Sequence, residues 1–425
     1  MKDTGIKNQD LDTCLDLIAK NRTDMQGLIT HGYPTLPAAR FLLLRIIDPQ
    51  LSRSFLSAIQ TRITNAYQSQ LLSEQDIGDT ALQIAFTSSG LVQLNLPSDV
   101  LASFPREFLE GMSYSYLDPK KTEIRIRERS TLLGDVGINA PENWYWGNAD
   151  NPIDCMLLLY AKTPALLDQL TSDVYPGSST GMNMVWTANT YPYKDSNDIR
   201  EHFGFRDGIS QPIIKGLPKS VKKIDSAHLL NPGEFILGYK NEYQSYSPRP
   251  FIKNYKGLKV LHSIDGKEDI KDLGKNGSFL VFRQMEQHVE RFWNYMFNNS
   301  MENAPTPIEK AIKLASKMVG RWPDGQPLAT DHDQPQPHPV DELNKFDYSE
   351  PDKHGIGCPF GAHIRRTNPR DMVHAGRGPE LSLQMSNKHR MLRRGRIYGH
   401  PLHESFNIPA MVDIAKSYQA EKGVQ

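Results

Sequence analysis

The sequence predicts an α+β protein of two layered domains, each a sheet covered by helices on one face. Three observations carry that prediction. The first half alternates short apolar runs with amphipathic helical stretches. The second half repeats the plan more loosely. The chain has 425 residues, about two or three times a typical domain of ~100–200 residues, so two cores are expected.

The elements follow in order. RFLLLRII (40–47) reads as a buried strand, and Leu51, Phe55, Ile59 and Ile63 give helical spacing after the Asp-Pro break. TALQIAFT (80–87) is a second strand. It precedes SSGLVQLNL and SDVLASFPREFLEGM, where Ser98 and Asp99 supply helix-start chemistry. DCMLLLYAK (154–162) is a third strand, and Thr163-Pro164 opens the next helix as cap and first turn. Beyond it, GEFILGY (233–239) and GSFLVFRQ (277–284) look like strands, the latter running into a helix at MEQHVERFWNYMF. PTPIEKAIKLASKMVGRW is another helix, and residues 331–355 form a polar, proline-rich loop. The turn-rich stretch 212–232 suggests the domain boundary.

Composition excludes several function classes. Lysine plus arginine and aspartate plus glutamate number 49 each, so no global field favours nucleic acid or an anionic membrane. Cys14, Cys155 and Cys358 are few, far apart and form no CxxC pair, which argues for a reducing compartment. No basic leader with an apolar run and no stretch of about 18 apolar residues occurs, so a soluble, cytoplasmic protein is expected.

Three stretches could carry chemistry: HFGFRDGISQP around Asp207, CPFGAHIRRTNPRD around His363, and HRMLRRGRIYG. Each has a bland reading. Asp207 between two glycines is a turn residue, a lone histidine is more often structural than a ligand, and RRGR is usually a solvated patch. A histidine among arginines is also poorly placed as a base. Its neighbours favour the neutral form, which is the form a metal ligand needs.

Taken together, in this order, the three stretches resemble the dye-decolorizing peroxidases, haem enzymes with a GxxDG signature and a proximal histidine far downstream. Further support comes from DMQGLITHGYPTLPAARFLLLRI, RERSTLLGDVGINAPENWYWGN and DLGKNGSFLVFRQ, which look like the long bacterial and fungal branch. The resemblance implies two tandem ferredoxin-like domains of the dimeric α+β-barrel type. Residues 1–212 would carry the GxxDG motif and 213–425 the haem. It also implies a haem peroxidase that reduces hydrogen peroxide and oxidises dyes, phenols or other bulky aromatic donors through a ferryl intermediate.

By the same resemblance the cofactor is haem b (iron protoporphyrin IX), and His363 is the proximal iron ligand. Arg370, in the NPR position, matches a propionate-binding arginine, where a guanidinium meets a carboxylate in bidentate geometry. Arg365 and Arg366 have no firm assignment. Asp207 matches the distal acid–base group that moves a proton between the peroxide oxygens. Arg393, two residues before Gly395, matches the distal arginine that stabilises developing negative charge; Arg394 is the neighbour it could be confused with. An unperturbed aspartate titrates near ~3.9, so activity is expected to be strongest in acid. Trp144, Trp146, Trp186, Trp293 and Trp322 are candidates to relay electrons from bulky donors. The family continues with a strand and a helix that supply distal wall residues and an acidic partner for the proximal histidine. The segment is not found before Gln425, so the second domain is expected to be incomplete at its C-terminus.

Three rival readings stand beside this one. The first is a haem-binding or haem-processing protein with little peroxidase turnover. The second is a non-haem metal site using Cys358 and His363 with His332, His338 or His354, which lacks the short paired spacings that zinc favours. The third treats Arg390 to Arg396 as a nucleic-acid patch: between 352 and 404 there are ten basic and four acidic residues, an excess better matched to haem propionates and peroxide chemistry because the rest of the chain is not basic. The expected partners are therefore hydrogen peroxide and aromatic reductants, with no nucleic acid and no membrane; a homo-oligomer is left open.

Overall fold

The computed structural model describes residues 18–69, 78–112, 129–191, 198–217, 226–253, 261–264, 267–336, 338–373, 376 and 378–422. Cys14 lies outside them. The chain divides into two compact units, residues 1–192 with 231–281, and residues 193–230 with 282–425. These do not coincide with a single cut at 212/213. Hydrogen bonds explain part of the difference, because Arg206 N–H and the Arg200 guanidinium both donate to Pro323 O, which ties the GxxDG loop to the later part of the chain.

The first unit is built on strands β1 (Ala38–Ile46), β2 (Thr80–Phe86), β3 (Cys155–Ala161) and β4 (Met182–Asn189). Their order is β2-β3-β1-β4, with every pairing antiparallel. Helix α1 (Pro49–Ile59) links β1 to β2, and helix α2 (Pro164–Val174) links β3 to β4. This is the split βαβ arrangement of ferredoxin-like sheets. Thr163 caps α2 as the sequence predicts, accepting from Leu166 N, and Asp48 of the Asp-Pro break caps α1, accepting from Gln50 N and Leu51 N. Leu42, Leu44, Leu157 and Leu159 pack with Ile59, Leu167 and Leu170 on the helix side. Because β3 is buried along its whole length, its sequence shows no polar alternation. Ser98 and Asp99 fall inside the first turn of a short helix whose capping position is Pro97.

Two predicted strands are corrected. GEFILGY forms a 3-10 turn at Pro232–Glu234 and then an irregular buried segment; Pro232 removes a ladder donor, and Gly238 turns the chain at φ +83°. GSFLVFRQ forms neither helix nor strand among the described residues. A strand that the sequence reading missed, β4, carries asparagine and methionine where a β-rich pattern would show branched residues. Also missed were a small antiparallel sheet of Phe251–Lys253, Lys267–Asp272 and Ser263–Ile264 and the helices after residue 370.

The second unit is mainly helical. Its helices are α3 (Val289–Asn299), α4 (Pro307–Val319), α5 (His363–Thr367), α6 (Pro379–Asn387) and α7 (Ile408–Lys422). Phe205, Trp293, Met296, Ala311, Ala315, Met411 and Val412 form one core. Trp322, Leu328, Phe346, Tyr348, Cys358 and Ala362 form a second core, directly behind α5. Thr306 and Glu309 make a reciprocal capping box at the start of α4, and Gly320 ends it at φ +94°. No described helix is long and apolar enough to cross a membrane.

Candidate active site

Asp207 sits on a loop braced from behind. The Glu201 carboxylate accepts from Phe203 N and Phe205 N at 2.9 Å each and from Gln287 Nε2 at 2.8 Å. Burial pushes the Glu201 carboxyl above its usual range, against these hydrogen bonds. Asp207 itself faces solvent, and its Oδ1 accepts from Gly208 N at 2.6 Å. The two glycines of GFRDG differ in purpose. A Cβ on Gly204 would lie 2.8 Å from Met411 Cε and 2.9 Å from Ile408 Cγ1, whereas one on Gly208 would meet no atom within 4 Å. The first glycine lets α7 approach; the second allows a positive-φ turn beside open space.

Arg393 lies on an irregular segment against this loop. Its N–H donates to Gln211 Oε1 at 3.1 Å, its carbonyl accepts from Gln211 Nε2 at 3.1 Å, and its NH2 donates to Ser210 O at 2.6 Å. Two residues on, a Cβ at Gly395 would stand 3.7 Å from Asp207 Oδ2. His202 donates from Nε2 to Tyr398 O at 2.6 Å, so the two segments are joined again further along. A cleft of about 300 Å³ opens beside the Asp207 loop, lined by Arg206, Asp324, Gln326, His338, Val340 and Leu343.

His363 begins α5 and is open to solvent. Partial desolvation, then the Arg393 charge, lower its pKa, while the Asp207 carboxylate acts in the opposite sense. Its neutral form is therefore favoured, first by desolvation and then by the Arg393 charge rather than by the arginines next to it. His363, Asp207 and Arg393 all belong to the second unit and are close enough for their charges to interact. Among the described residues no carboxylate bonds to the His363 ring, and no group of three or more His, Cys, Asp or Glu is arranged to hold a metal ion.

The arginines of the motif separate into distinct roles. Arg365 is a buried structural residue paired with Asp352, and Arg366 is exposed. Arg370 is buried, and its backbone is held at φ +50°, a conformation that costs a non-glycine residue ~1–2 kcal/mol. Its NH1 donates to Asn344 O and Phe346 O, and its NH2 to Asn344 Oδ1. Two further buried arginines feel its charge. Arg390 is pushed down to about 10 by burial and then by Arg370, and Arg321 to about 10 by the same two causes in that order. Between Arg390 and Arg370 lies buried His228, 3.2 Å from Arg390 NH1 at Nδ1 and 3.4 Å from Arg370 NH1 at Nε2. Among the described residues no carboxylate lies within ion-pair range of Arg321, Arg390 or Arg393. Of the five tryptophans, Trp293 and Trp322 are core residues, while Trp186 stacks on exposed Tyr145 at 5.7 Å.

Comparison with known proteins adds a second line. Peroxidase 2 of Mycetinis scorodonius is 29% identical over 370 residues, covering 85% of this chain and 62% of the relative. The multifunctional dye peroxidase DyP2 of an Amycolatopsis strain is 30% identical over 254 residues, 60% of this chain and 48% of the relative. The chain spans 55–66% of the length of the five fungal peroxidases it matches. An ancestral D-type dye-decolorizing peroxidase of known structure superposes with a TM-score of 0.69 at 23% identity, covering 92% of this chain and 77% of the other. That likeness shows a common fold. No protein-family profile matches the chain.

Proposed function

We propose, from the premise that the chain belongs to the dye-decolorizing (DyP-type) peroxidase family, that it is a haem-dependent peroxidase. The proposed reaction is reduction of hydrogen peroxide coupled to oxidation of phenols, dyes or other bulky aromatic donors, favoured in acid. The observation that carries the reading is the meeting in one compact unit of His363, Asp207 and Arg393 beside buried arginines that no described carboxylate neutralises. Buried cations of this kind are costly unless an anion joins them. A flat cofactor with two propionates fits that charge, and a solvent-open imidazole kept neutral fits an iron ligand.

On this reading His363 would hold the iron of haem b, and Arg370, with Arg390 beside it, would pair with the propionates. The strained Arg370 backbone is consistent with a side chain whose placement matters. Bound haem would supply the two-electron reduction of peroxide. Asp207 takes a proton from one peroxide oxygen and returns it to the other, and Arg393 stabilises the negative charge on the departing oxygen. A solved relative in complex with 2,6-dimethoxyphenol supports phenols as donors. The tandem ferredoxin-like reading, with a second such domain in the later half, rests on the family resemblance.

The test is an absorption spectrum of the chain loaded with haem, before and after one equivalent of peroxide. A Soret band that shifts on adding peroxide is expected. Loss of the band in His363→Ala is expected too, as is a ~10²–10³-fold slower reaction in Arg393→Leu. A chain that binds no haem, or whose spectrum ignores peroxide, overturns the reading.

A further inference from the structure

We propose that Gln211 is a positioning residue that fastens Arg393 to the loop of Asp207, so that the carboxylate and the cation move as one piece. The proposal rests on the peroxidase reading above and deepens it. Gln211 and Arg393 are 182 residues apart in sequence, yet one side-chain amide meets both polar groups of one peptide residue. Oε1 accepts the Arg393 N–H and Nε2 donates to the Arg393 carbonyl, each at 3.1 Å. A primary amide can do both at once because it carries a donor and an acceptor side by side. The reverse orientation would set N–H against N–H and oxygen against oxygen, so the bonding pattern itself fixes which way the amide points.

The need for such a device follows from the local backbone. Residues 390–398 form neither helix nor strand, so no ladder holds the Arg393 peptide in place. The Gln211 amide takes the part that a neighbouring strand would play. The preceding residue completes the grip, because Ser210 O accepts from Arg393 NH2 at 2.6 Å. Backbone and guanidinium are thus both held by consecutive residues that begin three positions after Asp207. On the Arg393 side, a Cβ added at Gly395 would stand 3.7 Å from Asp207 Oδ2, so the Arg393 segment runs close to the carboxylate that the Gln211 and Ser210 bonds hold it against. Errors of about 1 Å in such an arrangement can lower a rate by ~10²-fold.

Two substitutions separate the positioning role from a merely structural one. Gln211→Leu removes both bonds at similar volume. Gln211→Glu keeps an acceptor for the Arg393 N–H but loses the donor. The first readout needs no haem: amide hydrogen exchange at Arg393, with exchange in helix α4 as a control on the fold. Gln211→Leu is expected to speed exchange at Arg393 at least tenfold, Gln211→Glu less, with α4 unchanged. The second readout uses the haem-loaded chain. Fluoride affinity is expected to fall at least tenfold in Gln211→Leu, and kcat for peroxide to fall more than KM rises. Unchanged protection of Arg393 with α4 intact overturns the proposal, as does equal loss in the Leu and Glu variants. If Gln211→Leu loosens α4 as well, the Glu variant decides by the same criterion. A chain that takes up no haem would defeat the peroxidase reading, while the exchange result would still decide the role of Gln211.

Discussion

Asp352 and Arg365 form a buried ion pair, Oδ2 to NH1 at 2.9 Å, inside the segment that presents His363. Asp352 also accepts from Gly357 N and Cys358 N at 3.0 and 2.8 Å, and Arg365 donates to Cys358 O at 2.8 Å. The guanidinium lies over Tyr348 at 4.3 Å and over Phe360 at 4.5 Å. The pair therefore fixes the corner from which α5 departs. Removing one member leaves an uncompensated buried charge, which costs ~3–5 kcal/mol. Asp352→Asn and Arg365→Met should each lower urea-unfolding stability by about that amount. A loss below ~1 kcal/mol, the range of exposed pairs, would show that the corner does not depend on the pair.

Gly320 should tolerate no side chain. It ends α4 at φ +94°, and a Cβ there would stand 2.4 Å from Ile364 Cγ1 and 3.0 Å from Cys358 Sγ. Ile364 directly follows His363, so the strain would fall on α5. Left-handed strain and overpacking together predict ~2–4 kcal/mol for Gly320→Ala. Gly361→Ala, where a Cβ meets nothing within 4 Å, is the control and should change the unfolding midpoint little. Equal effects in the two variants would refute the packing argument.

What the sequence made legible follows from which interactions are local. The apolar runs of β1, β2 and β3 and the cap Thr163 depend on near neighbours and were readable. GSFLVFRQ has strand composition, but a strand needs a partner, and pairing is not written in the segment itself. The candidate site shows the same division. Asp207, His363, Arg370 and Arg393 stand in recognisable motifs. Gln211 and Arg390 lie inside the same stretches without standing out there, and Glu201, Arg321 and His228 lie outside them; what these residues do depends on folded partners such as Gln287, 86 residues from Glu201, and Arg393, 182 residues from Gln211. The sequence left Arg365 without an assignment; both it and Arg370 are buried, and the ion pair with Asp352 is what marks Arg365 as structural.

His363 should make the fold weaker as acid is added. Desolvation and Arg393 lower its pKa in the folded chain, while an unfolded histidine titrates near ~6.5. Below that value the unfolded state binds more protons than the folded one, so stability declines as the pH falls towards the depressed folded value. Above ~6.5 both states are neutral and the contribution is constant. Urea midpoints of the haem-free chain between pH 7.5 and 5 should decline less in His363→Gln than in the parent. Identical slopes would show that His363 titrates as freely folded as unfolded.

Glu201 should act in the opposite direction. Burial raises its folded pKa, and the nearby Asp207 charge adds to that rise in spite of three hydrogen bonds; the unfolded value is near ~4.3. Between the two values the folded state holds the extra proton, so stability declines as pH rises through that interval and the full penalty applies above it. Glu201→Gln removes the titration. The variant should therefore show a flatter stability profile from about pH 4 upward. It also exchanges one acceptor for a donor, and Phe203 N and Phe205 N both need acceptors. One N–H left unmet costs ~1–3 kcal/mol, which sets the vertical offset of the profile without changing its slope. Loop order gives an independent measure, since the unmet N–H lies within four residues of Asp207. Amide exchange at Phe203 or Phe205 should accelerate at least tenfold in the variant. A profile parallel to the parent's, with both amides still protected, would mean that Glu201 neither titrates in this interval nor braces the Asp207 loop.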